Sequence, residues 1–315
     1  MALSIHNFKP EFLQGVKALY QSIINKDPNS IFWWPGETEF SWEYCLCAFE
    51  GENLVGKGQV QPINVQQPGT NEQAKHAIYL NIKLHPEYEN NHEIFNKLYE
   101  ALYEKALLIK NTLPSQFETA LCVGNAISEQ SNNQLFEAQG FVPFNYLYEM
   151  ETDLTNFSPP ISSLQIEGLS IDYWKMETEQ AEQDYLKVES IIWPENALTP
   201  GRLKEYKEKQ GWRAITAVYQ NEIIGSVMCW EENNSCNLYG VIEDLFVLPE
   251  WRKKGIAKAL LLKALTTLKN RELQKVELMV LVENSAALSL YEQVGFSEIY
   301  KEVRYSIPLV ANIEV

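Results

Sequence analysis

Three consecutive basic residues and a glycine stand directly before a helix-like segment in the second half of the chain. Arg252, Lys253 and Lys254 are followed by Gly255, and from Ile256 onwards leucines recur at the spacing of an amphipathic helix. The first turn of a helix has N–H groups without a partner inside the helix, and the helix dipole favours negative charge there. A glycine lets a bound group come close to the backbone. The pattern therefore predicts a site for a pyrophosphate group.

Two neighbouring carboxylates, Glu243 and Asp244, lie in the apolar segment before this site. Segment 242–248 is dense in isoleucine, leucine, phenylalanine and valine, which predicts a strand buried on both faces. Pro249 ends that strand because proline has no N–H to donate. A carboxylate can accept a proton, so either residue is a candidate base. Because side chains alternate along a strand, we expect the two carboxylates to point to opposite faces of the sheet.

A further candidate, the phenol of Tyr291, lies in a second pattern downstream. Alternating valines and leucines predict a strand over 275–283, and a helix over 286–294 follows between an N-cap type, Asn284, and a C-cap type, Gly295. A phenol has a pKa of about 10, so it remains protonated at neutral pH and can act as an acid.

Together these patterns resemble the two signature motifs of the GNAT family of N-acyltransferases. The first is Arg-x-x-Gly-x-Ala directly after a Val-x-Pro strand end, and the second is Asn-x-x-Ala-x-x-x-Tyr-x-x-x-Gly-Phe. The resemblance covers residues 169–309. It implies an α/β (α+β) fold and transfer of an acetyl group from acetyl-CoA to an amine by direct attack.

The resemblance also implies which residues hold acetyl-CoA. Backbone N–H groups of the basic loop and the helix start would bind its phosphates, and the preceding strand would pair with its pantetheine arm. A backbone N–H near Val247 would stabilise the developing oxyanion. Asn284 would contact the pantetheine arm, with a plain N-cap as the alternative. The predicted set is Leu245, Phe246, Val247, Arg252, Lys253, Lys254, Gly255, Ile256, Ala257 and Asn284.

The resemblance suggests catalytic roles for three residues. Tyr291 matches a tyrosine that protonates the departing CoA sulfur, and a buried packing aromatic is the alternative. Glu243 is the favoured base, because family members often place a glutamate on this strand, and Asp244 is the second candidate. The alternative for these carboxylates is a rim position that binds the amine or pairs with a lysine. Glu231 and Glu232 are weaker candidates.

Composition narrows the class of partner. The chain has 315 residues and a net charge of −16, which argues against nucleic acid and is compatible with a cationic small-molecule or peptide amine. We expect no membrane partner, because no apolar run is long enough to span a bilayer, and without a recognisable signal peptide we expect the cytoplasm. Five cysteines without a Cys-x-x-Cys pair, and only four histidines, predict no metal site.

The first half of the chain repeats the second in outline. Gly56 matches Gly225, Leu84-His-Pro-Glu-Tyr matches Val247-Leu-Pro-Glu-Trp, and a Gly-Phe pair ends the last helix of each half. We therefore predict two tandem GNAT-like domains, 1–152 and 164–315, joined by a linker over 152–163. Each would be a mixed, mostly antiparallel twisted sheet flanked by helices.

The first copy differs from the second where chemistry would occur. Glu89 replaces Arg252, His92 replaces the close-approach glycine, and Phe136 stands where Tyr291 does. We expect the first domain to be degenerate and unable to bind CoA, and the second to be catalytic. The alternative is a non-catalytic module that binds or senses acyl-CoA. Either a monomer or a homodimer is compatible with this sequence.

Overall fold

The computed structural model describes residues 3–68, 74–158, 164, 166–194, 197–234 and 237–310. Much of the predicted linker, residues 159–163, lies outside the described residues. No described helix has both the length and the apolar character that crossing a membrane would require.

The first half of the chain contains six strands and four α-helices in its described residues. They are β1 Leu3–Asn7, α1 Leu13–Lys26, α2 Glu39–Glu43, β2 Cys45–Glu50, β3 Asn53–Asn64, β4 His76–Leu84, α3 His92–Lys110, β5 Thr119–Ala126, α4 Gln130–Ala138 and β6 Val142–Asp153.

The second half has the same composition of elements over the residues that are described. They are β7 Leu169–Trp174, α5 Glu179–Ile192, α6 Pro200–Lys207, β8 Arg213–Tyr219, β9 Glu222–Asn234, β10 Asn237–Val247, α7 Ile256–Lys269, β11 Lys275–Leu281, α8 Ser285–Val294 and β12 Ser297–Pro308.

The chain divides into two compact units. Unit 1 comprises Met1–Tyr146 and Tyr300–Val315. Its strands run in the order β1-β2-β3-β4-β5-β12, and among the described registers only β4 and β5 pair in parallel. The largest apolar core of the unit lies between this sheet and α3, with Phe95, Leu98 and Leu102 fully buried on one face of the helix.

Unit 2, Leu147–Ile299, has the equivalent sheet in the order β6-β11-β10-β9-β8-β7. Leucines of α7, such as Leu261 and Leu265, pack with the inner side chains of α8 against one face of this sheet. Tyr185 of α5 and Tyr206 of α6 pack against the other face, beside Phe246. The predicted fold, a mixed and mostly antiparallel sheet with flanking helices, is confirmed in both units.

The compact units begin and end at other residues than the predicted domains. Each unit is completed by a strand from the other half of the sequence, because β6 pairs with β11 and β12 pairs with β5. Strand β6 runs through Thr152, where the linker was predicted to begin. The composition of the segment that follows Asp153 does not reveal which sheet the preceding strand joins.

This arrangement makes a prediction about fragments of the chain. Residues 147–299 include Leu147–Asp153, the part of β6 that pairs along β11, and should therefore fold and bind acetyl-CoA. Residues 164–315 lack β6 and leave β11 as an open edge, so this fragment should aggregate or unfold at lower temperature. Thermal unfolding and calorimetric titration of both fragments with acetyl-CoA provide the measurement. Equal stability and binding by fragment 164–315 would contradict the assignment of β6 to unit 2.

Candidate active site

The helix α7 begins with an uncapped first turn. Its N-cap, Gly255, has φ 84°, in the left-handed region, and offers no side chain to the turn. The first intrahelical bond runs from the Ala259 N–H to the Gly255 carbonyl at 3.0 Å, so the preceding amides have no acceptor inside the helix. A Cβ on Gly255 would meet only Leu164 Cδ1, at 3.6 Å, among the described atoms. The predicted anion site is therefore accessible.

The basic residues of this loop are exposed and partly shape its backbone. Arg252 Nε donates to the Val247 carbonyl oxygen at 3.0 Å, which links the loop to the end of β10. Lys254 Nζ lies 4.4 Å from the centre of the Trp251 ring. Lys253 has φ 60°, a conformation that turns the chain sharply before Gly255. The loop thus offers positive charge next to free backbone donors.

Strands β10 and β11 separate beside this loop. Their recorded parallel register consists of Gly240 with Val276 and Val241 with Glu277. Strand β10 continues to Val247 beyond these pairs. The facing backbone edge is therefore available for an extended guest, which is the strand-like pairing predicted for the pantetheine arm over Leu245, Phe246 and Val247.

The expected alternation of Glu243 and Asp244 is wrong. The register with β9 shifts between Glu243, which pairs with Met228, and Phe246, which pairs with Ser226. This β-bulge places an extra residue in β10, and Asp244 adopts φ 55°. Both carboxylates consequently turn towards α5 and α6.

The two carboxylates differ in their surroundings. Asp244 accepts a hydrogen bond from the Tyr185 hydroxyl. Burial, supported by the charge of Glu243, raises the pKa of Asp244 to about 7, although the Tyr185 bond opposes this shift. Glu243 is half-buried and accepts from the Tyr206 hydroxyl at 3.4 Å.

Tyr291 lies close enough to Glu243 for the two groups to interact electrostatically. Its side chain is buried and its ring packs against Phe296 at 5.8 Å between centroids. Burial, and then the charge of Glu243, raise the pKa of Tyr291 well above its usual value. The phenol therefore keeps its proton at neutral pH, as a general acid must.

The remaining predicted residues have structural partners. The Asn284 side chain accepts from the Ala287 N–H at 3.2 Å and so caps α8, which leaves its amide N–H groups as donors for a ligand. Of the two weaker base candidates, Glu231 is buried and paired with Arg271, and Glu232 accepts from Lys209 at 2.8 Å. Those two carboxylates stabilise the fold at the far end of β9.

In unit 1 the slot beyond the last β4–β5 pair, which corresponds to the separation of β10 and β11 in unit 2, contains charged side chains of the protein itself. The register of β4 and β5 ends at Leu80 with Val123, and the buried Lys83 and Glu129 form an ion pair beyond that point. Lys83 Nζ also donates to Asn125 Oδ1 at 3.0 Å. These two charged residues line a cavity of about 250 Å³.

The start of α3 also differs from the start of α7. The Asn91 side chain accepts from the Ile94 N–H at 3.1 Å, so this first turn is capped. Glu89 pairs with Lys26 in front of the helix. A pyrophosphate would meet a carboxylate there in place of free amides.

Comparison with known proteins agrees with this geometry. The model of the "Acetyltransferase (GNAT) family" matches residues 174–296. N-alpha-acetyltransferase of Saccharolobus solfataricus is 30% identical over 126 residues, which are 36% of this chain and 73% of that protein. The chain belongs to the GNAT family. N-alpha-acetyltransferase 30 of Schizosaccharomyces pombe is 34% identical over 93 residues, 29% of this chain, and the chain spans 62% of that relative's length.

The fold similarity extends over both units. A GCN5-related N-acetyltransferase from Sphaerobacter thermophilus superposes with a TM-score of 0.73 at 17% identity, and the match covers 99% of this chain and 98% of that one. At this identity the comparison concerns the fold alone. Both halves of this GNAT protein therefore have the fold of a solved family member.

Acetyl-CoA fits the residues present in unit 2. The phosphates require free backbone donors, which the first turn of α7 offers, and the pantetheine arm requires an unpaired strand edge, which the separation of β10 and β11 offers. Within the described parts of the chain, no three histidine, cysteine or acidic side chains are grouped as metal ligands.

Sequence reasoning missed three side chains that contact this region. Tyr185 and Glu189 lie one turn apart on α5, and Tyr206 lies on α6. The spacing of Tyr185 and Glu189 indicates a shared helix face. Nothing in the sequence connects that face to the carboxylates of β10, because the connection depends on the bulge.

A charge substitution at position 255 should test the anion site. Asparagine and aspartate both tolerate the left-handed conformation and have nearly the same shape. Gly255→Asp should weaken acetyl-CoA binding at least tenfold more than Gly255→Asn, because only the carboxylate repels phosphate. Calorimetric titration measures both affinities.

The matched control is Asn91→Asp at the N-cap of α3 in unit 1, which should leave the affinity within twofold of the parent. Equal affinities for the Gly255→Asp and Gly255→Asn chains would contradict the site.

Proposed function

We propose that unit 2 transfers an acetyl group from acetyl-CoA to an amine by direct attack. The observation that carries the proposal is the combination of the uncapped α7 turn with Glu243 and Tyr291 beside the separated strands. Acetyl-CoA would supply the activated acetyl group. The chain would bind it, orient it and move protons.

The basic loop, the backbone edge of β10 and Asn284 would bind acetyl-CoA. The amides from Lys253 to Ala257 would hold the phosphates, with Arg252, Lys253 and Lys254 adding positive charge. The backbone of Leu245, Phe246 and Val247 would align the pantetheine arm. The free amide N–H groups of Asn284 would add a contact to the same arm, while the side-chain oxygen remains the cap of α8.

Glu243 is the base in this proposal. An ammonium group must lose a proton before its nitrogen can attack, and a half-buried carboxylate next to the cleft can accept that proton directly or through a water molecule. The Tyr206 hydroxyl orients the carboxylate. Asp244 is less suited to this role because its carboxyl is held under α5 by Tyr185.

Tyr291 is the acid. Its phenol is protonated across the physiological range, and the neighbouring Glu243 disfavours the phenolate further. A proton from this group would neutralise the departing thiolate. The carboxylate and the phenol would therefore divide proton removal and proton donation between them.

The acceptor is an amine of a small molecule or a peptide. Several relatives are named for acetylating α-amino groups, which supports an amine but does not distinguish a peptide from a small molecule. The net charge of −16 favours a cationic acceptor. Unit 1 serves as a scaffold that does not bind CoA, and the expected location is the cytoplasm.

The proposal predicts turnover that depends on Glu243. Release of CoA is measured with acetyl-CoA and a panel of α-amino peptides, polyamines and aminosugars. Glu243→Gln should lower kcat/KM at pH 7 by about a hundredfold, the scale of general base catalysis, and should regain activity as pH rises and free amine becomes abundant.

The control Glu232→Gln removes a salt-bridged carboxylate outside the cleft and should retain parent activity. Binding of acetyl-CoA without turnover of any amine would refute the transferase proposal in favour of an acyl-CoA-sensing module.

Removal of the Tyr291 hydroxyl should separate catalysis from binding. Tyr291→Phe should lower kcat by about tenfold to a hundredfold while the Kd for CoA changes less than twofold, because the ring still packs against Phe296. Single-turnover kinetics and calorimetry measure the two quantities. The control Tyr99→Phe alters another buried tyrosine in unit 1. Unchanged kcat in Tyr291→Phe would exclude this tyrosine as the acid.

A further inference from the structure

A cluster of buried acidic and phenolic side chains lies behind the bulge of β10. Tyr185 is fully buried and donates its hydroxyl proton to Asp244 Oδ2. Glu189, one helical turn further along α5, is 2% exposed. The charge of Asp244 acts on the Glu189 carboxyl, so the two carboxyl groups interact electrostatically. None of the roles derived above requires such a cluster.

The backbone at Asp244 is itself unusual. Its φ of 55° is uncommon for a residue other than glycine, although aspartate and asparagine tolerate it best. Asp244 and Leu245 together face the single residue Val227, because the register moves from Glu243–Met228 to Phe246–Ser226. Such a bulge leaves backbone groups outside the ladder. A conformation of this kind persists only when its surroundings hold it in place.

The surroundings of Asp244 and Glu189 favour retention of a proton that the two carboxyl groups share. Burial and then Asp244 raise the pKa of Glu189 to about 8, and burial raises that of Asp244 to about 7. The titratable groups that act on Asp244 are Tyr185, Glu189, Glu243 and Tyr206, and none of these is a cation. At neutral pH the two buried carboxyl groups therefore hold about one proton between them.

The same cluster connects three elements. Glu189 accepts from the Leu198 N–H at 2.9 Å, directly before Thr199, which caps α6. Helix α6 carries Tyr206, whose hydroxyl reaches Glu243. The bulge, α5 and the beginning of α6 are thus linked through Glu189, Asp244 and Tyr185.

We propose that Asp244 is a positioning residue, which together with Tyr185 and Glu189 holds the bulge of β10 so that its free backbone N–H groups face the acyl carbonyl. The proposal rests on acetyl-CoA being bound along β10, as the proposed function requires. Asp244 does not exchange a proton with the substrate. It fixes the backbone donors that receive the thioester oxygen, and it leaves Glu243 as the base.

The test uses two stable CoA thioethers that differ in one carbonyl group. S-(2-oxopropyl)-CoA has a carbonyl near the position of the acetyl carbonyl, and S-propyl-CoA has none. The full-length parent should bind the carbonyl compound about fivefold more tightly, as expected of one hydrogen bond of about 1 kcal/mol. Calorimetric titration of the two compounds gives this ratio without any turnover.

The variants should change the ratio selectively. Tyr185→Phe and Asp244→Ala should reduce it to about one while the affinity for S-propyl-CoA stays within twofold. Asp244→Asn should keep the ratio, because an amide oxygen can still accept from Tyr185 and asparagine tolerates the left-handed backbone. The control Tyr305→Phe removes the hydrogen bond that a buried tyrosine in unit 1 donates to Glu137 at 3.0 Å. This control should keep the parent ratio too.

Three results would overturn the inference. The first is a parent ratio of one, and the second is an unchanged ratio in both Tyr185→Phe and Asp244→Ala. The third is an equal loss of affinity for both thioethers, which would indicate a merely structural role. A parent chain that shows the predicted ratios but acetylates no amine would support the inference while refuting the transferase proposal.

Thermal unfolding keeps the proposal testable if a variant binds neither compound. The folded pKa values of Asp244 and Glu189 lie above those of the unfolded chain, which are about 4, so this part of the stability is present at low pH and is lost as pH rises through about 7 to 8. Asp244→Asn removes one of the like charges. Its midpoint should therefore fall less than the parent's between pH 5.5 and 8.5, and an equal fall would contradict the shared proton.

Discussion

The proposed function of this chain depends on a helix whose first-turn amides have no acceptor inside the helix. Gly255 gives α7 a left-handed N-cap without a side chain, so the first amides of the helix remain available to an anion. The rest of unit 2 holds that turn in place. Buried leucines such as Leu261 and Leu265 fix α7 against the sheet, and Arg252 links the loop to the end of β10. The exposed amides can bind an anion well only when the helix that carries them is held in place.

The two units share one fold but differ at the position where the proposed ligand would lie in unit 2. Their sheets have corresponding strand orders, each with one parallel pair that ends early. In unit 1 the slot beyond that pair contains the buried Lys83–Glu129 ion pair, and removal of either partner would leave an uncompensated charge. Glu129 and Asn284 are the N-caps of corresponding helices, α4 and α8. The Glu129 carboxylate turns into the slot and pairs with Lys83, whereas the Asn284 side chain caps α8.

Much of this could be predicted from the sequence because the motifs are local. Gly255 before a leucine-rich helix, and Asn284 followed by Tyr291 and Gly295, are patterns in which each residue type has a physical reason at its position. The strand predicted over 275–283 and the helix predicted over 286–294 agree within two residues with the observed Lys275–Leu281 and Ser285–Val294, since turn and cap residues mark their ends clearly. Membership of the GNAT family and the repeated fold followed from these patterns.

The features that were missed depend on pairing between distant strands. The bulge at Asp244 is a mismatch between β10 and β9, and neither strand indicates it alone. The placement of β6 and β12 depends on which partner strand each finds, and neither segment alone indicates that partner. The contact of Tyr185 with Asp244 follows from the bulge, so it could not be inferred while the strand was expected to alternate regularly.

Hydrogen–deuterium exchange of the full-length chain with and without CoA measures whether the amides at the start of α7 bind phosphate. CoA should slow exchange of the amides in residues 253–258, because they become donors to its phosphates, and residues 89–94 of unit 1 should exchange at unchanged rates. Unchanged exchange at 253–258 under saturating CoA, or equal protection in the two segments, would contradict the proposed site.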